Sequence, residues 1–250
     1  MRPSFTRQSR LSLSKLQNSP AVTGGAQREL VLELLSGGSG LILAIFMWGH
    51  MVLVGSILTG RRGFDWMAQW LEDWYIAQPT VIVIFALFLL HAALASRKIP
   101  AKWRQRAELR RLAVDLQPHE ESLLWIWQVR TGLVVLVLGS FHIILLALDV
   151  LTPLFGERPG IEAATSLARV QAGLWLPYAI LLVCVEFHAS VGLYRLAIKW
   201  GGGARLSRTT LRVLERILLW FFLGLGAVVL LVLAGVVPPP LQFLVSGNLT

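Results

Sequence analysis

Long apolar runs, separated by short polar, basic or proline-containing stretches, dominate the chain. A membrane-spanning helix needs about 20 mainly apolar residues. Five stretches meet that requirement: about 36–60, 79–97, 122–149, 169–198 and 211–237. Gly60, Pro79 and Pro238 punctuate their ends. The third and fourth exceed a straight crossing and are expected to tilt or project past the bilayer. Interior glycines recur, and in membrane helices small residues let neighbours or flat ligands approach closely. The pattern predicts an all-α integral membrane protein, a bundle of five transmembrane helices. Residues 1–30 are rich in Ser, Arg and Gln without an apolar core near the start, so they read as a tail and not as a cleaved signal. Residues 31–238 form the five-helix unit and 239–250 a C-terminal tail. No internal repeat is strong enough to divide the bundle.

Composition sharpens this reading. Only 15% of the 250 residues are charged, against about 25% in an average soluble domain, and mean hydropathy is +0.65. The net charge of +9 would suggest a nucleic-acid partner in a soluble protein, but here the cations flank apolar runs and report topology. Eighteen of the 23 Lys and Arg residues lie in three segments. These are the N-terminal stretch, the loop after the second span, and the junction of spans four and five. All three fall on one side, so the N-terminus is expected in the cytoplasm and the C-terminus outside. The single cysteine, Cys184, excludes a disulfide framework and a thiolate metal cluster and reads as a small apolar residue of a span.

Four of the five histidines lie inside spans, one per span: His50, His91, His142 and His188. Ionisable residues inside a membrane are rare and tend to be functional. Depth sorts these four. His142 precedes Asp149, at the outer end of its span, by seven residues, and His188 precedes Arg195, at the inner end of its own, by seven. At 1.5 Å per residue each lies about 10 Å from that end. His50 falls in the outer half of span one and His91 in the inner half of span two. The pairs are therefore His50 with His142, outside, and His91 with His188, inside. Two imidazoles at one depth on facing helices suit a bis-histidine haem. Small residues neighbour each histidine: Gly49 and Gly55, Ala92 and Ala95, Gly139 and Ser140, Ala189 and Gly192. Zinc fits less well, because it would want four ligands at one depth.

Helical phase adds candidates. Arg195 and Lys199 return to within about 20° of the His188 face, where they would meet haem propionates. Ser36 and Ser39 share the His50 face near the inner level and are further propionate donors or small packing residues. Glu186 points about 200° away from His188, toward another helix, water or a proton route. Arg130, read as buried in span three, would partner Glu186 or a propionate.

In "GHMVLVGSILTG", "HAALASRKIP", "LGSFHIILL" and "VEFHASVGLYRLAIKW" the chain resembles the dihaem cytochrome b anchor of succinate:quinone oxidoreductases, in particular menaquinol:fumarate reductases. The resemblance covers about residues 35–216 and is most specific in the last motif. It implies five membrane helices and two b haems, the proximal one on His91 and His188 and the distal one on His50 and His142. Trp125 and Lys199 would contact proximal propionates, and His119 would lie near haem propionates. Glu72, in "QWLEDWY", would accept a proton from menaquinol, and Glu186 would carry protons across the membrane. The resemblance also implies partner flavoprotein and iron–sulfur subunits, with their FAD and iron–sulfur clusters, in the cytoplasm, a dimer of heterotrimers and a bacterial cytoplasmic membrane. This chain departs from the pattern in several places. Ser36 and Gly37 replace a polar propionate-binding pair, Arg130 replaces an apolar residue, and Ala168 replaces an arginine with Arg169 adjacent. The C-terminus is also apolar. The rival readings are an anchor for a hydrogenase or formate dehydrogenase, and a haem-free transporter with a histidine proton relay.

Overall fold

The computed structural model describes residues 20–99, 103–111, 120–152, 154, 161–201 and 205–246, and among them every regular element is helical. Helix α1 (Pro20–Gly55) runs into a 3-10 turn (Ser56–Thr59), followed by α2 (Arg61–Asp73) and α3 (Ala77–Ser96). After α4 (Trp103–Arg111) come α5 (Glu120–Leu151), α6 (Ala163–Arg169), α7 (Trp175–Lys199), α8 (Arg208–Leu233) and the short α9 (Phe243–Ser246). Five stretches are long and apolar enough to cross a membrane: Gly25–Thr59, Pro79–Ser96, Glu120–Asp149, Ala163–Lys199 and Arg208–Leu233. Large apolar side chains such as Ile82, Val137 and Trp220 face outward from these spans, about two thirds or more exposed. A water-facing surface would not tolerate such a belt, whereas hydrocarbon matches it.

The ends of the helices differ from the sequence pattern for local reasons. Helix α1 starts at Pro20, inside the stretch read as tail, where the fixed φ of proline suits a first helical turn. Helix α8 stops at Leu233, short of Pro238. Gly235 takes φ 76°, and the amides of Gly235 and Val236 donate to the carbonyls of Val232 and Leu231. That is a Schellman ending, which satisfies carbonyls that would otherwise be orphaned. The fourth span begins earlier than its apolar run suggests and is bent. A π-helical segment at Val170–Leu174, with Gly173 at φ 104°, joins α6 to α7.

Helix α1 packs on α3, and α7 packs on both α5 and α8, but α3 and α5 touch little. The bundle is thus two groups of helices held apart along most of their length. Its far end, opposite the basic segments, is closed by a core of Ile57, Phe64, Ala68, Ala163, Val170 and Val229. Asp65 of α2 accepts a hydrogen bond from the Ala163 amide at 2.7 Å, satisfying the first turn of α6 and pinning α2 across that end. The opposite end is tied by ion pairs: Arg97 to Glu29 at 2.9 Å, Lys98 to Glu33 at 3.1 Å, and Lys199 to Glu33. Surface pairs of this kind contribute little singly, about 0–1 kcal/mol, so they set geometry more than stability.

Helices α7 and α8 approach closely where Gly226 faces Leu182. A Cβ on Gly226 would lie 2.5 Å from Leu182 Cδ1. Gly226→Val is therefore expected to destabilise the bundle by about 1–3 kcal/mol through overpacking, read as a lowered Tm of the purified protein in detergent. An unchanged Tm would show that the two helices can separate freely.

Candidate functional site

A cavity of about 1730 Å³ with mainly apolar walls fills the space between the two groups of helices. A pocket for one drug-sized ligand measures about 300–1,000 Å³, so this one has room for more than one such group. All four intramembrane histidines line it, and they meet in pairs. The rings of His50 and His142 lie 6.1 Å apart between centroids, and those of His91 and His188 lie 6.3 Å apart. Two imidazole nitrogens, each about 2 Å from a shared metal ion, put their ring centroids roughly 6 Å apart. At each level the two imidazoles are spaced so that they would fit one metal ion between them.

The inner rings are oriented by the backbone. His188 Nδ1 lies 2.9 Å from the Gln128 carbonyl, and His91 Nδ1 lies 3.2 Å from both the Ser36 carbonyl and Ser39 Oγ. A backbone acceptor at Nδ1 fixes the tautomer and leaves Nε2 as the nitrogen with a free lone pair, an arrangement typical of metal-binding histidines. Ser36 and Ser39 are buried and serve His91, so the structure places them at the back of an inner histidine. In the outer pair His50 stacks on Phe46 at 5.9 Å and His142 meets the Tyr178 ring edge-on at 5.3 Å. His142 Nδ1 is buried without a hydrogen-bond partner among the described residues.

Two glycines that the sequence did not single out make room for the inner rings. A Cβ on Gly40 of α1 would lie 2.9 Å from His91 Cε1, and one on Gly132 of α5 would lie 2.7 Å from His188 Cε1. Of the small residues that neighbour the histidines in sequence, Gly49, Gly139 and Gly192 line the cavity, with Gly139 also against Phe88 and Gly192 against Gln128, while Gly55 faces open space. The missed signal was a spacing. Gly40 precedes His50 by ten residues, and Gly132 precedes His142 by ten. Each glycine therefore sits about 15 Å along the helix from an outer histidine, at the level of the inner one.

The cavity ends differ in charge. At the basic end its wall includes Lys98, Arg195, Lys199 and Trp125, together with Glu33, which pairs with both lysines. Burial, and then the nearby Arg97 and Arg195 guanidiniums, push Lys98 below the ordinary lysine range. Glu121 accepts from Tyr194 at 2.6 Å and from Arg212 at 3.3 Å, tying α5, α7 and α8 just beside this mouth. At the far end the wall includes the exposed Glu72, with Tyr178 and Arg169 deeper in. Arg169 forms a buried ion pair with Asp149. Both lie at the ends of their apolar runs, and their pairing across two helices was not visible in either segment alone.

Glu186 is buried and also reaches the cavity. Leu182, one turn earlier on its face, packs on Gly226, so Glu186 lies on the α8 side of α7 while His188 faces α5. Arg130 corrects the sequence expectation. It is exposed on the outer face of α5 with its guanidinium 5.2 Å from the Trp127 ring centroid, and it is absent from the cavity wall. Its phase relative to the bundle interior, which a single span does not reveal, turns it outward. His119 lies outside the described residues.

A polytopic helix bundle with paired imidazoles facing one cavity defines a class of membrane cofactor carriers, and sequence comparison narrows it. Residues 104–233 match the family described as succinate dehydrogenase/fumarate reductase transmembrane subunit. The chain is 36% identical over 178 residues to the fumarate reductase cytochrome b subunit of Wolinella succinogenes, spanning 68% of this chain and 66% of that protein. It is 34% identical over 203 residues to the fumarate reductase cytochrome b subunit of Helicobacter pylori (strain J99), spanning 78% of this chain and 76% of that protein. The chain belongs to this family, as a multi-pass cytochrome b membrane anchor.

The buried Arg169–Asp149 pair gives a stability test. Arg169→Leu removes the guanidinium from the buried carboxylate, which the Leu154 amide also contacts, and is expected to cost about 3–5 kcal/mol, whereas replacing both partners by Leu should return the Tm close to that of the parent. Equal Tm values for the single and double variants would remove the pair from the account of stability.

Proposed function

We propose that this chain is the two-haem, quinone-reactive anchor of a fumarate-reductase-type complex in a bacterial cytoplasmic membrane. The observation that carries the reading is the pair of imidazole pairs, at two levels of one cavity, with ring separations suited to one metal each. Its relatives' name, fumarate reductase cytochrome b subunit, supports it. His91 and His188 would hold the proximal haem, and His50 and His142 the distal one. Two b haems bound there would supply one-electron transfer from one end of the bundle to the other.

The residues of the chain divide the remaining work. The Ser36 and Gln128 carbonyls hold the inner imidazoles in register. Lys98, Arg195 and Lys199, with Trp125, form the cationic mouth that would receive propionates from the proximal haem. Arg169 and Tyr178 offer the polar contacts on the outer wall. Glu72, at the far mouth, would take a proton as menaquinol is oxidised. Each quinol loses two protons and two electrons, and the electrons travel toward the basic end. Glu186, buried and off the His188 face, is the candidate carrier of a proton across the bundle. The basic end, cytoplasmic with the N-terminus, would dock an iron–sulfur subunit and, through it, a flavoprotein whose FAD reduces fumarate. The assembly would be a dimer of such heterotrimers. Residues 31–238 are the working unit between the two tails.

A haem assay and a reduced-minus-oxidised spectrum of the purified protein test this directly. Two b haems per chain are expected, and a haem-free chain would overturn the reading in favour of a transporter. His91→Ala and His188→Ala should each remove the same haem and spare the other. Gly132→Ala should reproduce that loss, because the added methyl displaces the His188 ring. Glu72→Gln should abolish menaquinol oxidation with both haems retained, and normal turnover would reject Glu72. A flavoprotein should co-purify. A hydrogenase or molybdenum subunit in its place would move the anchor to a different dehydrogenase.

A further inference from the structure

We propose that α2 is an interfacial helix whose Trp66–Trp70–Trp74 row seats in the lipid headgroup layer at the far end of the bundle. This helix presents three faces. Phe64 and Ala68 are buried in the closing core, and Leu71 lines the cavity. Arg62, Gln69 and Asp73 form an exposed polar face. Between them, at positions i, i+4 and i+8, Trp66, Trp70 and Trp74 are 65%, 43% and 67% exposed. The rings of Trp70 and Trp74 lie 6.5 Å apart along this row. The chain beyond the row stays aromatic. Tyr75, held at φ 54° in the turn to α3, is 78% exposed, and Trp175, near the same end on α7, is 51% exposed.

Placement decides what covers this row. Helix α2 joins the far end of α1 to the start of α3, so both of its ends are fixed where two spans leave the hydrocarbon. Asp65 and the Phe64–Ala68 contact prevent it from rolling. Water would leave three indoles unburied in one patch. Full immersion would drag Arg62, Gln69 and Asp73 into hydrocarbon at a cost of several kcal/mol. Only the interface satisfies both faces. Indole rings prefer that depth, with the apolar body in lipid and the N–H on a polar partner, and an amphipathic helix lying in the plane has this three-way division. Arg61 and Arg62, both exposed at the start of the helix, carry charge of the sign that lipid phosphates attract. The seat does not depend on the quinone reading. If both hold, Glu72 stands at the depth where a lipophilic quinol presents its head group.

The test uses the intact complex in phosphatidylcholine–phosphatidylglycerol vesicles. Tryptophan fluorescence is compared between the parent and the W66F/W70F/W74F variant, in lipids brominated near the headgroup or near the methyl end. The difference signal should be quenched most by the shallow bromine and less by the deep one. Stronger quenching by the deep bromine would overturn the proposal by placing the helix in the acyl core. Quenching by aqueous iodide with no response to bromine would place the row in water. Resistance to all three would mean that protein covers it, a second copy of the chain included. Should the triple variant fail to assemble, W66F and W74F, taken singly, give the same readout. Loss of Glu72 function leaves these signals unchanged, so the two readings fail separately.

Discussion

Hydrocarbon offers no hydrogen-bond partner, so each polar group inside the five spans must be answered by another part of the chain or by what the chain binds. The bundle meets this requirement locally and across helices. The inner histidines lean on the Ser36 and Gln128 carbonyls. The outer arginine meets Asp149. Tyr194 and Arg212 share Glu121. His142 Nδ1 has no hydrogen-bond partner among the described residues, and its ring belongs to the cavity wall.

The cavity is framed by contacts at its two ends. The α1–α3 pair and the α5–α7–α8 group are each well packed, yet they meet sparingly. A soluble core would collapse such a gap to recover hydrophobic contacts. Here the ends hold it open: an apolar plug around Phe64 and Val170 at one end, and carboxylate–cation ties around Glu33 at the other. Rigid ends around a wide middle suit a bundle that encloses flat groups between its helices.

Much of this was legible in the sequence. Apolar run length is enough to find the five spans, and counting residues from charged ends is enough to pair the histidines, because helix rise converts sequence into depth. Azimuth was less legible. Arg130 lies within an apolar run, but only the packing of α5 shows that it turns outward. Gly40 and Gly132 could not be matched to His91 and His188 without knowing which helices face each other. Asp149 and Arg169 sit at span ends, where charges are ordinary, and only the packing of their two helices shows that they are buried together. Element ends were set by particular backbone devices, such as the Gly235 turn, and not by where hydropathy fades.

The ten-residue interval from glycine to histidine occurs on both α1 and α5, while the inner histidines sit on α3 and α7. The molecule therefore carries an approximate two-fold relation. One hairpin contributes an outer histidine and then an inner one, and the second hairpin does the same. Each hairpin supplies a notch for the ring presented by its own second helix. In such a layout the spacing between the two levels is a ruler written twice. Adding or deleting one residue between Gly40 and His50 would turn the outer imidazole by about 100° while leaving the notch in place. The two levels can thus drift chemically, through the residues around them, but not in distance, unless both hairpins change together.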